Sequence, residues 1–148
     1  MKKLYVVLSM FLIYILTNNI MFAQNTEKMT FDGMYSGRSS RGIVLSDKLR
    51  SLQGKKIKMV GFMAPPLQPT INFFVLTEIP MSICPFCSTD ADWPDNIVVV
   101  KLERPVVALP FDRPIEVTGI LELGNEIDEE TGFVSLIRIN AEDINIAK

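Results

Sequence analysis

Two cysteines separated by two residues form the chemical motif of this sequence, Cys84-Pro85-Phe86-Cys87. Thiols at this spacing can close a disulfide, bind a metal ion together or cycle between oxidation states. The chain of 148 residues contains no histidine. Without an imidazole, a Ser-His-Asp triad, a Cys-His pair and a His-ligated zinc or haem site are all excluded. The sulfur chemistry of this segment is therefore the main candidate for a functional site.

A soft-metal site is one interpretation of the segment. Met81, Cys84 and Cys87 follow one another at steps of three residues, and a thioether with two thiolates is a ligand set that favours Cu(I). Cys84 and Cys87 together with Asp90 or Asp92 would form a mixed sulfur and oxygen site for zinc. Because two sulfurs are half of a four-thiolate cage, carboxylates, an open position or a second subunit would have to complete it. The predicted cofactor is therefore Zn or Cu.

Two other interpretations remain open. In an oxidising compartment, Cys84 and Cys87 can form a local disulfide that sets the shape of the loop in a structural or assembly module. A periplasmic thiol-disulfide oxidoreductase would instead use Cys84 as the nucleophile and Cys87 as the resolving thiol. Residues 88–95 contain three carboxylates and no apolar helical period, whereas such enzymes stabilise a thiolate with a helix N-terminus and nearby cations. The pattern therefore favours a binding protein over an enzyme, and no catalytic residue is assigned.

The first 23 residues have the pattern of a signal peptide. Lys2 and Lys3 precede an apolar run over residues 4–16, and small-residue cleavage is predicted at Ala23. The run is shorter than the roughly 18 apolar residues of a membrane span. The residue directly after the cleavage position is not a cysteine, so a lipoprotein anchor is excluded. We expect a periplasmic or secreted protein that contacts the membrane, if at all, through an uncleaved signal anchor.

The charge of the exported chain limits its partners. Removing residues 1–23 takes away two lysines and no acid, which leaves 13 basic and 17 acidic side chains and a net charge of -4. Such a chain has no bulk attraction for phosphate backbones or anionic lipid. Nucleic acid is therefore excluded as a predicted partner, and an envelope protein or a small ligand is expected.

The remaining residues predict a flexible leader over 24–44 and one domain over 45–148. Ser46 caps a short helix through Leu52, and Gly61 and Gly119 lie inside strand patterns, where sharply coiled barrels tend to need glycine. A proline-rich link separates the third strand from the fourth. We therefore predict an all-β fold with small α content, a five-stranded OB-like partly closed barrel, over a β-sandwich. The predicted strands are 57–63, 72–79, 96–103, 115–123 and 133–139.

Several segments in the same order along the chain resemble the DUF3299 family of exported bacterial proteins. The resemblance implies an OB-like fold and an envelope location, and it carries no settled biochemical role. The family commonly has a histidine two residues after its cysteine, where this chain has Phe86 and then the second thiol, Cys87. Cys87 would therefore replace the histidine in any metal site. The segments that carry the resemblance are Leu52 to Gly54, Gly61 to Leu67, Phe73 to Thr77, Cys84, Pro94 to Val100 and Val117 to Leu121.

Overall fold

The computed structural model describes residues 26–39, 42–66, 70–82, 96–129 and 132–147. Most of these residues lie in β-strands, and the helical content is one 3₁₀ turn, Phe31–Gly33, and one short helix, α1, Asp47–Ser51. The predicted all-β class is confirmed. The strands in chain order are β1 Glu27–Met29, β2 Tyr35–Ser39, β3 Gly42–Leu45, β4 Lys56–Met63, β5 Thr70–Thr77, β6 Ile97–Val107, β7 Pro114–Ile127 and β8 Val134–Ile146.

Within the described residues the sheet has six strands rather than the predicted five, because β1 pairs along β4. Strands β4 to β8 form the barrel itself. Their order is β4-β5-β6-β8-β7, and β7 pairs back onto β4 along residues 56–62. Strands β6 and β8 are parallel, and the other neighbours in the barrel are antiparallel. The barrel is only partly closed, because β4 and β5 are paired at Phe62 with Thr77 and at Met63 with Leu76 and then diverge.

The hydrophobic core follows the alternation predicted from the sequence. Ile115, Val117 and Leu121 of β7 are buried, as the apolar face of a half-buried strand requires. Strand β6 differs because its residues Ile97 to Val100 are buried on both faces. Its even-numbered members join the main core, and its odd-numbered members join a second cluster with Ala64 and Val75. The prediction of a β6 covered on both faces is confirmed.

Gly61 and Gly119 are the two places where strands approach too closely for a side chain. A Cβ at Gly61 would lie 2.7 Å from the carbonyl oxygen of Thr77, and a Cβ at Gly119 would lie closer still to that of Asn140. Both distances are well below a van der Waals contact. Glycine at these positions lets the strands curl into the barrel.

The segment before the barrel differs from the predicted leader. Strand β1 pairs in parallel with β4, and Met29, Phe31 and Met34 are buried in the barrel core. These side chains come from three short pieces of chain, so their spacing follows neither the strand period nor the helix period. Strands β2 and β3 form a separate two-stranded ribbon. The described residues between 26 and 44 are thus ordered, whereas residues 1–25, with the predicted signal peptide, lie outside the described part.

Helix α1 connects this N-terminal segment to the barrel. As predicted, Ser46 is its N-cap, and the Ser46 hydroxyl accepts a hydrogen bond from the Leu49 amide at 3.1 Å. Leu49 and Leu52 bury their side chains in the core. Gly54, with a φ of 73°, follows the helix in the left-handed conformation that favours glycine. No helix within the described residues is long and apolar enough to cross a membrane.

Candidate functional site

The predicted metal-binding residues lie in the connection between β5 and β6. Four of them fall outside the described residues: Cys84, Cys87, Asp90 and Asp92. Met81, near the start of this connection, is half-buried. Among the residues that the structure describes, no three acidic or cysteine side chains are grouped closely enough to hold a metal ion. The metal and disulfide interpretations of the two thiols therefore stay predictions.

Both ends of this connection are held by the barrel. Thr77 is paired with Ile97, and the amide of Glu78 donates to the carbonyl oxygen of Asn96 at 3.2 Å. The chain therefore leaves β5 and enters β6 at neighbouring positions. Such a closed base fixes the end-to-end distance of the connection, whatever conformation its middle adopts.

Thr77 shapes the exit from β5. Its side chain is fully buried, and its hydroxyl oxygen lies 2.7 Å from the carbonyl oxygen of Ile79 and 3.2 Å from that of Phe62. A threonine hydroxyl has one proton, so it donates to one carbonyl at a time, and the shorter distance favours Ile79. This bond directs the backbone just before Met81. Sequence reasoning missed Thr77, because a β-branched residue in a strand needs no further explanation.

A second feature, a charged cluster across β6, β7 and β8, was also missed. Arg138 is only 5% exposed although it lies between core residues of β8. Its Nη1 donates to the carbonyl oxygens of Gly124 at 2.6 Å and Ser135 at 3.0 Å. Its Nε lies 3.0 Å from Glu126 Oε2, an ion pair whose N–H is not aligned for a hydrogen bond with any described group.

The cluster binds a bulge in β7. Between Leu123 and Glu126 strand β7 has one more residue than its partner β8, and Gly124 has a φ of 115° there. Arg138 donates to the carbonyl of this glycine, so the side chain holds the bulge in place. In the observed register Glu122 lies opposite Arg138, and this pair of opposite charges is the signal in the sequence that could have indicated the cluster.

The same cluster controls the charge of Glu126. A hydrogen bond from Lys101 lowers the pKa of Glu126, and the positive charges of Arg138 and Lys101 act in the same direction against partial desolvation. The ion pairs of Glu126 with Lys101 of β6 and Arg138 of β8 join these two strands to β7.

Comparisons with known proteins bear on the fold. No family model matches the chain, and no curated protein matches it. A crystal structure of a DUF3299 family protein from Pseudomonas aeruginosa PAO1 does match, with a TM-score of 0.54 and 13% sequence identity. The match covers 83% of this chain and 97% of that chain. This protein has the fold of a DUF3299 family protein. The resemblance that the sequence motifs indicate is thereby confirmed at the level of the fold.

The match spans nearly all of the DUF3299 protein, so the likeness concerns the whole fold of that protein rather than one part of it. At this low identity the likeness transfers no binding residue and no activity.

Proposed function

We propose that this chain is an exported binding or adaptor protein of the cell envelope, in which the β5–β6 connection binds a soft metal ion, Zn²⁺ or Cu⁺, through Cys84 and Cys87. One observation carries the proposal. Strands β5 and β6 stay paired to the base of the connection that contains both thiols, at Thr77 with Ile97 and at Glu78 with Asn96. A connection with joined ends loses less conformational entropy on closing around an ion than a free segment does.

The residue types support a soft metal. Thiolates bind Zn²⁺ and Cu⁺ strongly, and a thioether such as that of Met81 adds to a Cu⁺ site but contributes little to a Zn²⁺ site. Asp90 or Asp92 would complete a zinc site with oxygen. The chain has no histidine to compete with these ligands or to serve as an imidazole base. Binding rather than turnover is therefore the favoured role.

Native mass spectrometry of the full chain, with and without reductant, tests the proposal. After reduction and addition of one metal at a time, we expect the wild type to retain one Zn²⁺ or one Cu⁺ and a Cys84→Ser/Cys87→Ser variant to retain neither. Met81→Leu is the matched control, because it should weaken Cu⁺ binding and leave Zn²⁺ binding intact.

Two results would contradict metal binding. The first is a mass lower by two hydrogens in the sample without reductant, together with no metal retained after reduction. It would identify a structural module with a local disulfide. Turnover of a disulfide substrate that requires Cys84, again without retained metal, would identify a thiol-disulfide oxidoreductase.

A further inference from the structure

Glu78 is the first residue after β5 and lies at the base of the connection that contains both thiols. Its amide donates to the carbonyl oxygen of Asn96 at 3.2 Å, which continues the ladder one step beyond the pair of Thr77 with Ile97. A second bond, from the Thr77 hydroxyl to the carbonyl oxygen of Ile79, spans Glu78. The barrel therefore fixes the backbone of Glu78, while its side chain is exposed.

The residue opposite Glu78 is Asn96. Directly opposed residues of antiparallel neighbours present their side chains on the same face, with Cβ atoms roughly 4.5–5.5 Å apart. In the part of the chain that the structure describes, neither side chain forms a hydrogen bond or an ion pair. An asparagine amide can donate to one oxygen of a neighbouring carboxylate and leave the other oxygen available. The base of the connection thus offers a carboxylate that is not neutralised by any described group.

The position of Glu78 also continues the spacing of the candidate ligands. Met81, Cys84 and Cys87 follow it at steps of three residues, and Asp90 is the next step. Two intervening residues are a common separation of paired ligands in zinc sites, because a turn of that length lets both ligands reach one ion. The series of candidate ligands therefore begins on the barrel and not inside the connection.

We propose that Glu78 is an oxygen ligand of the Zn²⁺ site and that its carboxylate favours Zn²⁺ over Cu⁺. This inference rests on the proposed function, in which Cys84 and Cys87 bind the ion. Two thiolates leave two positions of a tetrahedral zinc site open, and Asp90 or Asp92 takes one of them. Glu78 takes the other and joins the site to the barrel. Cu⁺ prefers soft sulfur ligands, so it gains little from a carboxylate.

Titration of the reduced full chain with Zn²⁺ or Cu⁺, each added alone in competition with a chelator, tests the proposal. Glu78→Gln keeps the size of the side chain and removes its charge, and we expect it to weaken Zn²⁺ binding roughly 100-fold. Asn96→Ala removes the group that orients the carboxylate, so it should weaken Zn²⁺ binding roughly ten-fold. Both variants should leave Cu⁺ binding within about two-fold of the wild type. The unfolding midpoint of metal-free Glu78→Gln should equal that of the wild type, because the side chain is exposed.

Glu103→Gln is the matched control, because it removes the same charge from an exposed glutamate in the second half of β6. It should leave the affinity for both metals unchanged, and a loss equal to that of E78Q would overturn the proposal, since net charge alone would then explain it. Equal Zn²⁺ affinity of the wild type and E78Q would overturn the role of Glu78 and leave the metal site itself in place. Equal losses of Zn²⁺ and Cu⁺ binding in E78Q would also overturn that role. A wild type that retains neither metal would contradict the proposed function and this inference with it.

Discussion

The ring of Phe31 packs directly on Gly61, with its Cε2 atom 3.1 Å from the position that a Cβ at Gly61 would occupy. Phe31 belongs to the 3₁₀ turn between β1 and β2, and Gly61 lies in the middle of β4. The N-terminal segment thus fills space that the barrel leaves by having glycine at this position. The contact makes residues before the barrel a part of its core.

Replacing Gly61 with alanine should destabilise the protein. The new methyl group would lie 2.7 Å from the Thr77 carbonyl oxygen, which is backbone, and near the Phe31 ring. We expect a loss of about 1–3 kcal/mol in the free energy of unfolding, as for other overpacked cores. Denaturant unfolding measures it, with Gly33→Ala as the control. Gly33 has its nearest neighbour at 3.4 Å, so a comparable loss there would mean that the crowding at Gly61 is not the cause.

Replacing Thr77 with valine removes one hydroxyl and keeps the shape of the side chain. The carbonyl of Ile79 then loses its donor at 2.7 Å, and the buried position of the Thr77 side chain is filled by a methyl group. We expect a loss of about 1–2 kcal/mol in the free energy of unfolding. If the proposed metal site exists, its affinity should fall as well, because the backbone leading to Met81 loses its anchor. Thr118→Val, on half-buried β7, is the comparison, and a T77V variant as stable as T118V would rule out the anchor.

Replacing Arg138 tests the charged cluster. Arg138→Ala leaves the Gly124 and Ser135 carbonyls without their donor and Glu126 with Lys101 alone, and we expect a loss of about 2–3 kcal/mol in the free energy of unfolding. Arg138→Lys keeps the charge but lacks the planar guanidinium with its several N–H donors. It should therefore recover only part of the lost stability. The reference is Lys58→Ala, which breaks a partly exposed ion pair with Glu116 that is worth about 0–1 kcal/mol. Equal losses for R138A and K58A would show that burial of the arginine adds nothing.

The lowered pKa of Glu126 predicts a pH dependence of stability. Because the pKa is lower in the folded state, the unfolded chain binds a proton first as the pH falls. The stabilisation is therefore fully present above the ordinary value of 4.5 and is lost as the pH falls through the folded-state pKa. The side chain is 38% exposed, so solvent screens the effect and it should be small.

Unfolding of the wild type and Glu126→Gln between pH 3 and pH 7 provides the measurement. The stability difference between the two should be largest near neutral pH and should shrink toward pH 3. Raising the salt concentration to about 1 M should also shrink it, because the paired groups are partly exposed. A difference that is constant over this pH range would contradict the assignment to the carboxylate of Glu126.

Local sequence determined the elements of the barrel. The alternation at Ile115, Val117 and Leu121 defines an apolar strand face, and Ser46 defines a helix start, because both signals involve residues close together in the chain. Gly61 and Gly119 indicated close strand crossings for a similar reason, since the pattern around them is that of a strand and glycine there serves no turn. Even the second buried face of β6 followed from its unbroken run of β-branched residues.

Tertiary structure decided which of these elements meet. Met29, Phe31 and Met34 have no common period, and only the pairing of β1 with β4 brings them into the core. Arg138 has the polar position of an alternating strand, and the bulge in β7 and the neighbouring carboxylates are what bury it. Periodicity reports which side of a segment is apolar. The element against which that side packs depends on contacts between residues far apart in sequence.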